Sequence, residues 1–142
     1  PSVLEDFGLV PALQSLCHQT AKSTGLNVRF QTQGEVERLP ASVETGLYRI
    51  AQEALTNAAK HAEAAEVEVQ LFTRDRSLWL TVEDDGKGFD VEGGNVRRTT
   101  PGRIGLMSMK ERVAALGGIL TIETRPGSGT EILVELPLPE RE

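Results

Sequence analysis

Tyr48-Arg49-Ile50-Ala51-Gln52-Glu53-Ala54-Leu55-Thr56-Asn57-Ala58-Ala59-Lys60-His61-Ala62 carries two patterns at once. Ile50, Ala51, Ala54, Leu55 and Ala58, with Val43 and Leu47 upstream, recur at three- and four-residue intervals. They predict an amphipathic helix that opens at Pro40 and runs to about His61. Glu53, Asn57, Lys60 and His61 stand at offsets of four, seven and eight residues, which at roughly 100° per residue gathers them within an arc of about 100°. This polar stripe adjoins the apolar face, so a carboxylate, an amide, an amine and an imidazole are expected at the edge of the core. A carboxamide oxygen is a hard ligand suited to Mg²⁺, a carboxylate orients or deprotonates a nucleophile, and a lysine neutralises phosphate charge. A solvated helix edge with an intrahelical ion pair also accounts for the same residues.

Upstream, Leu13, Leu16, Cys17 and Thr20 have helical spacing, with Pro11 in a first turn and Gly25 as a stop, predicting a helix over 11–23. Val28 and Phe30 alternate with polar residues and predict a short strand. Downstream, Val67, Val69 and Leu71, then Leu78, Leu80 and Val82, alternate with polar neighbours as two paired antiparallel strands would. From Asp84 to Gly105 no period is usable, and a loop of about 20 residues is expected; loops this long inside a domain are usually functional. Leu106, Met109, Val113 and Leu116 predict a helix closed by Gly117-Gly118, and two last strands flank Arg125-Pro126-Gly127-Ser128-Gly129, with Thr130, Ile132, Val134 and Leu136 on one face. Strands and helices do not alternate strictly, which favours a two-layer α+β sandwich over a doubly wound parallel sheet.

Three further segments carry chemistry. Asp84-Asp85-Gly86-Lys87-Gly88-Phe89 follows a strand, and its glycines permit the backbone turns that close approach to a nucleotide base requires, with a carboxylate placed to accept from an adenine amino group. An ordinary Asp-Gly turn is the plainer explanation of this segment alone. Gly102-Arg103-Ile104-Gly105-Leu106 opens a helix, where free N–H groups and the helix dipole favour an anion. Gly127-Ser128-Gly129-Thr130 reads by itself as a hairpin turn. Neither Gly-x-x-x-x-Gly-Lys-Ser/Thr nor a strand-to-helix Gly-x-Gly-x-x-Gly occurs.

The 142 residues suffice for one domain, and 39% hydrophobic content for one core. A net charge of −6 argues against direct nucleic-acid or anionic-membrane binding, so a phosphate ligand must be held locally. The single cysteine, Cys17, falls among apolar helical positions and is expected to be a buried side chain in a cytoplasmic protein. No apolar run approaches the roughly 18 residues of a membrane span. The chain starts at Pro1 and is expected to be a piece of a longer protein whose parent is either soluble or membrane-anchored.

Taken in order, Glu-x-x-x-Asn on a long helix, Asp-x-Gly-x-Gly after a strand, a Gly-Leu helix start and Gly-x-Gly-Thr near the end resemble the Bergerat-fold (GHKL) ATPases: gyrase, the ninety-kilodalton heat-shock chaperone, mismatch-repair ATPases and histidine kinases. The stretch from Tyr48 to Ala62 and Gly105-Leu106-Met107-Ser108-Met109-Lys110-Glu111-Arg112-Val113 look like the sensor histidine kinases paired with helix-turn-helix response regulators. The resemblance covers nearly the whole chain. It implies a two-layer α/β sandwich with a mixed sheet of about five strands, covered on one face by about three helices. It also implies ATP and Mg²⁺ as cofactors, and γ-phosphoryl donation to a histidine on a separate dimerisation domain in two-component signal transduction.

By the same resemblance, Asn57 would bind Mg²⁺ bridging the ATP phosphates, Glu53 would help activate the phospho-acceptor, and Lys60 and His61 would lie near the phosphates or the acceptor. Asp84 would bond the adenine amino group, Gly86 and Gly88 would let the backbone pass the base, and Thr130 would support adenine recognition through water. The ATP lid would run from about Phe89 to Ile104, ending at Gly105 and Leu106 beside phosphate. The family's first lid glycine is Arg103 here, which puts the phosphate geometry in doubt. Residues 1–10 would be the link from the dimerisation helices and 11–140 the catalytic domain, monomeric alone. Neither His18 nor His61 has the acceptor context. The alternatives are an ATPase or anti-sigma-factor serine kinase on the same fold, against which Met109-Lys110-Glu111-Arg112 argues, or a regulatory module that has lost ATP binding.

Overall fold

Periodicity of two in the strands and near 3.6 in the helices builds two facing layers. The structure is a computed structural model and describes residues 2–89, 91–92, 95–97 and 100–139. In chain order the elements are α1 (Ser2–Phe7), α2 (Leu9–Thr24), β1 (Asn27–Gln33), α3 (Ala41–Lys60), β2 (Glu66–Arg74), β3 (Ser77–Asp84), β4 (Val91–Glu92), β5 (Asn95–Val96), α4 (Arg103–Ala115), β6 (Ile119–Thr124) and β7 (Thr130–Pro137). Five strands form one mixed sheet in the order β1-β2-β3-β7-β6, in which β1 and β2 are parallel and the other pairs antiparallel. The expected α+β sandwich is the observed one. Among the described residues it has four helices, the first only 6 residues long.

Register places the core on one face of the sheet. Val69 lies opposite Val82 and Val82 opposite Ile132, while Leu71, Leu80 and Val134 make the next row. All six are buried, as is the α3 face of Leu47, Ile50, Ala51, Ala54, Leu55 and Ala58. The alanines let α3 settle close to β2 and β3, while α2 packs on β1 and α3, and α4 on α3 and β6. Each large side chain so buried contributes roughly 1.5–3 kcal/mol from apolar transfer.

Two boundaries differ from the sequence reading. Leu9 and Leu4 are buried in the core, so the first long helix starts at Leu9 rather than Pro11 and a short helix precedes it. The expected loop before Leu106 contains the β4–β5 hairpin, and α4 begins at Arg103, so Gly105 and Leu106 lie inside its first turn rather than at its threshold. Asp90, Gly93, Gly94, Arg98 and Thr99, which belong to the expected lid, lie outside the described residues. Among the described residues no helix is long and apolar enough to cross a membrane.

The α3 start is fixed by an ion pair rather than a side-chain cap. Pro40 is the N-cap with φ −52°, and Glu44, 3% exposed, accepts from Arg38 Nε at 3.2 Å and from Leu39 N–H at 3.4 Å. A carboxylate in a first helical turn also meets the positive end of the helix dipole. Arg38 in turn donates to the Glu5 carbonyl at 3.2 Å, tying α1 to the same corner. Cys17 is buried and its thiol is pushed up to about 11 by that burial, consistent with a packing role.

The face of the sheet away from the helices carries a row in register across five strands: Arg29, Glu68, Glu83, Glu131 and Glu123. Arg29 pairs with Glu68 at 3.3 Å. Glu131, in the middle of the remaining carboxylates, is pushed up to about 7 by partial burial and by Glu83 and Glu123. A carboxyl raised in the folded state holds its proton more tightly than the unfolded chain does, so stability is fully present below the unfolded value and declines as pH rises through about 7. The melting temperature is therefore expected to rise as pH is lowered from about 7.5 to about 5.5. Glu131→Gln should flatten that dependence; a variant whose pH profile parallels the wild type would contradict this assignment.

Candidate functional site

Where the C-terminal half of α3 passes the ends of β3 and β7, a cavity opens that Ala54, Asn57, His61, Val82, Asp84, Gly88, Phe89, Thr100, Pro101, Leu106, Thr130 and Ile132 line. It is a narrow space of about 50 Å³. Six of the ten residues singled out in the sequence thus meet: Asn57, His61, Asp84, Gly88, Leu106 and Thr130. Glu53, Lys60, Gly86 and Gly105 do not line it, though Glu53 lies against Gly105, and Gly86 against Ala62 and Asp84. Lys60 is exposed at the end of α3.

The polar stripe on α3 meets the first turn of α4. Gly102, the N-cap with φ +81°, lies so close to α3 that a Cβ there would come 2.7 Å from Asn57 Oδ1 and 2.9 Å from His61 Cδ2. At Gly105 a Cβ would overlap the Glu53 carboxylate, so a larger residue there would have to displace this side chain. Both amide atoms of Asn57 are buried and have no hydrogen-bond partner among the described residues. Leaving a buried polar group unpaired costs about 1–3 kcal/mol. Such a cost is tolerated where a ligand supplies the missing bonds. Among the described residues no group of three or more acidic, histidine or cysteine side chains is arranged to hold a metal, and Asn57 Oδ1 is an unpartnered hard oxygen at the cavity. A single hard oxygen with phosphate and water as co-ligands is the habit of Mg²⁺.

The opposite wall is built from stacked backbone. Gly86 N–H donates to Asp84 Oδ1 at 2.8 Å, and Lys87 N–H to the Ala62 carbonyl, also at 2.8 Å. Asp85 accepts from Ala65 and Glu66 N–H at 2.8 and 2.9 Å, which holds its carboxyl below the usual range. On the far side the β6–β7 turn presses against the same loop. A Cβ on Gly88 (φ +65°) would overlap the Arg125 carbonyl, and one on Gly129 (φ +77°) the Asp84 carbonyl. The Gly-x-Gly-Thr segment is therefore more than a strand connection: it clamps the Asp84–Gly88 loop.

Asp84 is raised from its ordinary value, chiefly because it is desolvated; the Gly86 and Thr130 backbone N–H groups oppose that shift, and Asp85 and Glu83 add to it. In the β3–β7 register Asp84 stands opposite Thr130, two residues beyond the Val82–Ile132 pair that also lines the cavity. The sequence reading had no signal for Phe89, Val82 and Ile132 as cavity walls, because strand positions facing a core and positions facing a ligand share one periodicity. It also missed Thr124, whose Oγ1 accepts from Phe89 N–H at 3.1 Å and lies 3.0 Å from Thr130 Oγ1.

Comparison with known proteins agrees with this geometry. The family described as histidine kinase-, DNA gyrase B-, and HSP90-like ATPase matches residues 42–140. The chain is 39% identical over 139 residues to the signal transduction histidine-protein kinase/phosphatase DegS of Brevibacillus brevis, covering 98% of this chain and 35% of that protein. It is 38% identical over 138 residues to the sensor histidine kinase ComP of Bacillus subtilis, covering 97% and 18%. It thus spans about a third or less of these relatives. The histidine kinase domain of the Erythrobacter litoralis EL346 blue-light activated histidine kinase superposes with a TM-score of 0.62 at 25% identity, over 90% of this chain and 58% of that one. Acinetobacter baumannii histidine kinase AdeS shares the fold, with a TM-score of 0.72 at 13% identity over 98% and 74%. The chain belongs to the histidine kinase-, DNA gyrase B- and HSP90-like ATPase family.

Proposed function

We propose that this domain binds Mg·ATP and donates the γ-phosphoryl group to a histidine on a separate dimerisation domain, as one step of two-component signalling. The observation that carries the reading is the orphaned, buried Asn57 amide at one end of a cavity whose other end is a desolvated Asp84. The adenine amino group donates to Asp84, the base lies between Val82, Ile132 and Leu106, and Gly86 and Gly88 keep the backbone clear of it. The phosphates occupy the junction of Asn57, His61 and the α4 N-terminus, whose N–H groups favour an anion. The cavity of about 50 Å³ must widen for so large a ligand to enter.

Asn57 Oδ1 is the protein oxygen suited to Mg²⁺, and the ion, when bound, neutralises charge on the transferring phosphoryl group. The remaining work is positioning and proton handling. Glu53 accepts the proton of the incoming imidazole as its nitrogen attacks the γ-phosphorus and ADP leaves. Lys60 and His61 stabilise charge near the phosphates or the acceptor. Residues 1–10 act as the link from the dimerisation helices and 11–140 as the catalytic domain, monomeric by itself and cytoplasmic, with a helix-turn-helix response regulator as the downstream partner of the parent protein.

Calorimetric titration of the domain with Mg·ATP is expected to give micromolar to submillimolar affinity, weakened roughly tenfold to a hundredfold in a folded Asp84→Asn variant, the worth of a charge-assisted hydrogen bond. No binding to the folded wild type would refute the nucleotide site. With a histidine-bearing dimerisation domain supplied in trans, Glu53→Ala is expected to retain ATP affinity within about twofold while transfer falls by roughly 10²–10⁴, as for a lost proton acceptor. Equal losses in both would remove Glu53 from that role.

A further inference from the structure

Gly8 joins α1 to α2 with φ +93° and ψ −171°, a backbone state that residues bearing a side chain rarely adopt. Across it lies the Arg38 side chain: a Cβ on Gly8 would come 2.7 Å from Arg38 Cδ. The guanidinium faces two elements at once. Its Nε and one terminal nitrogen each donate to the Glu44 carboxylate at 3.2 Å, and the same terminal nitrogen donates to the Glu5 carbonyl of α1, also at 3.2 Å. These two attachments differ in strength. Glu44 is buried, and separating a buried carboxylate from its cation costs far more than losing one neutral carbonyl acceptor, so Arg38 stays with α3. Little else holds α1: Leu4 is buried and Val3 partly so, but Phe7 is 68% exposed. Its 6 residues are also too few for a helix to persist alone in water, which takes roughly 12–15.

We propose that Gly8 is a pivot and Arg38 a latch: α1 exchanges between a docked position, held by the Arg38–Glu5 bond and Leu4, and a released one, while the Arg38–Glu44 pair stays closed. Docked, α1 moves as one body with α3, whose other end carries Glu53 and Asn57. Released, it frees the chain ahead of Leu9 to swing by distances on the order of 9 Å, the length of 6 helical residues. With residues 1–10 as the link from the dimerisation helices, the latch sets how tightly the catalytic stripe follows that link. This regulatory consequence rests on the function proposed above, whereas the latch itself does not.

Hydrogen exchange at the Gly8 amide, which donates to the Leu4 carbonyl at 3.0 Å, reports α1 directly. In the wild-type domain it should exchange faster than the α2 amides, because α1 is released without the rest opening. Arg38→Lys keeps a cation beside Glu44 but lacks the planar fork that also reaches Glu5. It should speed Gly8 exchange by about fivefold, the worth of one hydrogen bond, with the α2 and α3 amides within about twofold. Should that variant not fold, Arg38→Leu combined with Glu44→Leu, which removes the buried charge together with its partner, must show the same selective rise. An unchanged Gly8 rate, or a rise shared equally by α2 and α3, overturns the latch and leaves Arg38 as a brace for Glu44. The regulatory consequence is read from phosphoryl transfer. In the full-length parent, Arg38→Lys should shift transfer within the chain by up to about fivefold as the released population grows, and leave transfer by the isolated domain to a dimerisation domain supplied in trans within about twofold. Equal effects on both overturn the coupling. A wild type that transfers in neither setting refutes the kinase reading instead, and the exchange result stands apart from it.

Discussion

Three backbone segments in direct contact hold the site together: the end of α3 at Ala62, the Asp84–Gly88 loop and the Arg125–Gly129 turn. Lys87 N–H reaches the Ala62 carbonyl, Gly127 N–H reaches the Lys87 carbonyl, and Gly88 and Gly129 have no room for side chains. Backbone contacts this close fix positions to a fraction of an ångström, because both hydrogen bonding and steric overlap change steeply with distance. Everything the cavity does follows from this stack. It sets Asp84 at one end of the cavity at a fixed height above the strands, and it sets Asn57, one turn before Ala62, at the other.

The same stack explains the electrostatics. Asp84 sits where desolvation raises it, yet two backbone N–H groups keep its carboxylate oriented. Asp85, its neighbour, points the other way and ties β2 to the loop through Ala65 and Glu66. Two adjacent aspartates therefore serve different ends, one facing the cavity and one holding the frame. On α3, Asn57 has no hydrogen-bond partner among the described residues while Glu53 packs against Gly105, so α4 rests on the stripe that the proposed chemistry requires.

Much of this was legible in the residues. The α3 stripe, the β2–β3 pair and the β7 face were readable because periodicity reports which side of an element is buried, and Asn57, Asp84, Gly88 and Thr130 do converge. The start of α2 was misjudged because Pro11 is tolerated in any first turn, and only tertiary packing of Leu4 and Leu9 shows that the helical chain extends further back. Gly105 was read as a phosphate neighbour, and the sequence carried no sign that it also lies against the Glu53 carboxylate. Thr124 was invisible, since a threonine at a strand end has no periodic signature and its importance lies in partners 6 and 35 residues away.

The wall made by the Asp84–Gly88 loop and the Arg125–Gly129 turn is expected to stand before any ligand arrives, and hydrogen exchange at single amides tests this most directly. Lys87, Phe89 and Gly127 N–H groups, all near the surface, should exchange slowly in the nucleotide-free protein, with protection approaching that of the β3 core, because their bonds belong to one cooperative unit. Exchange at those three amides near the rate of an open loop, while β3 stays protected, would contradict the account: the wall would then form only on binding.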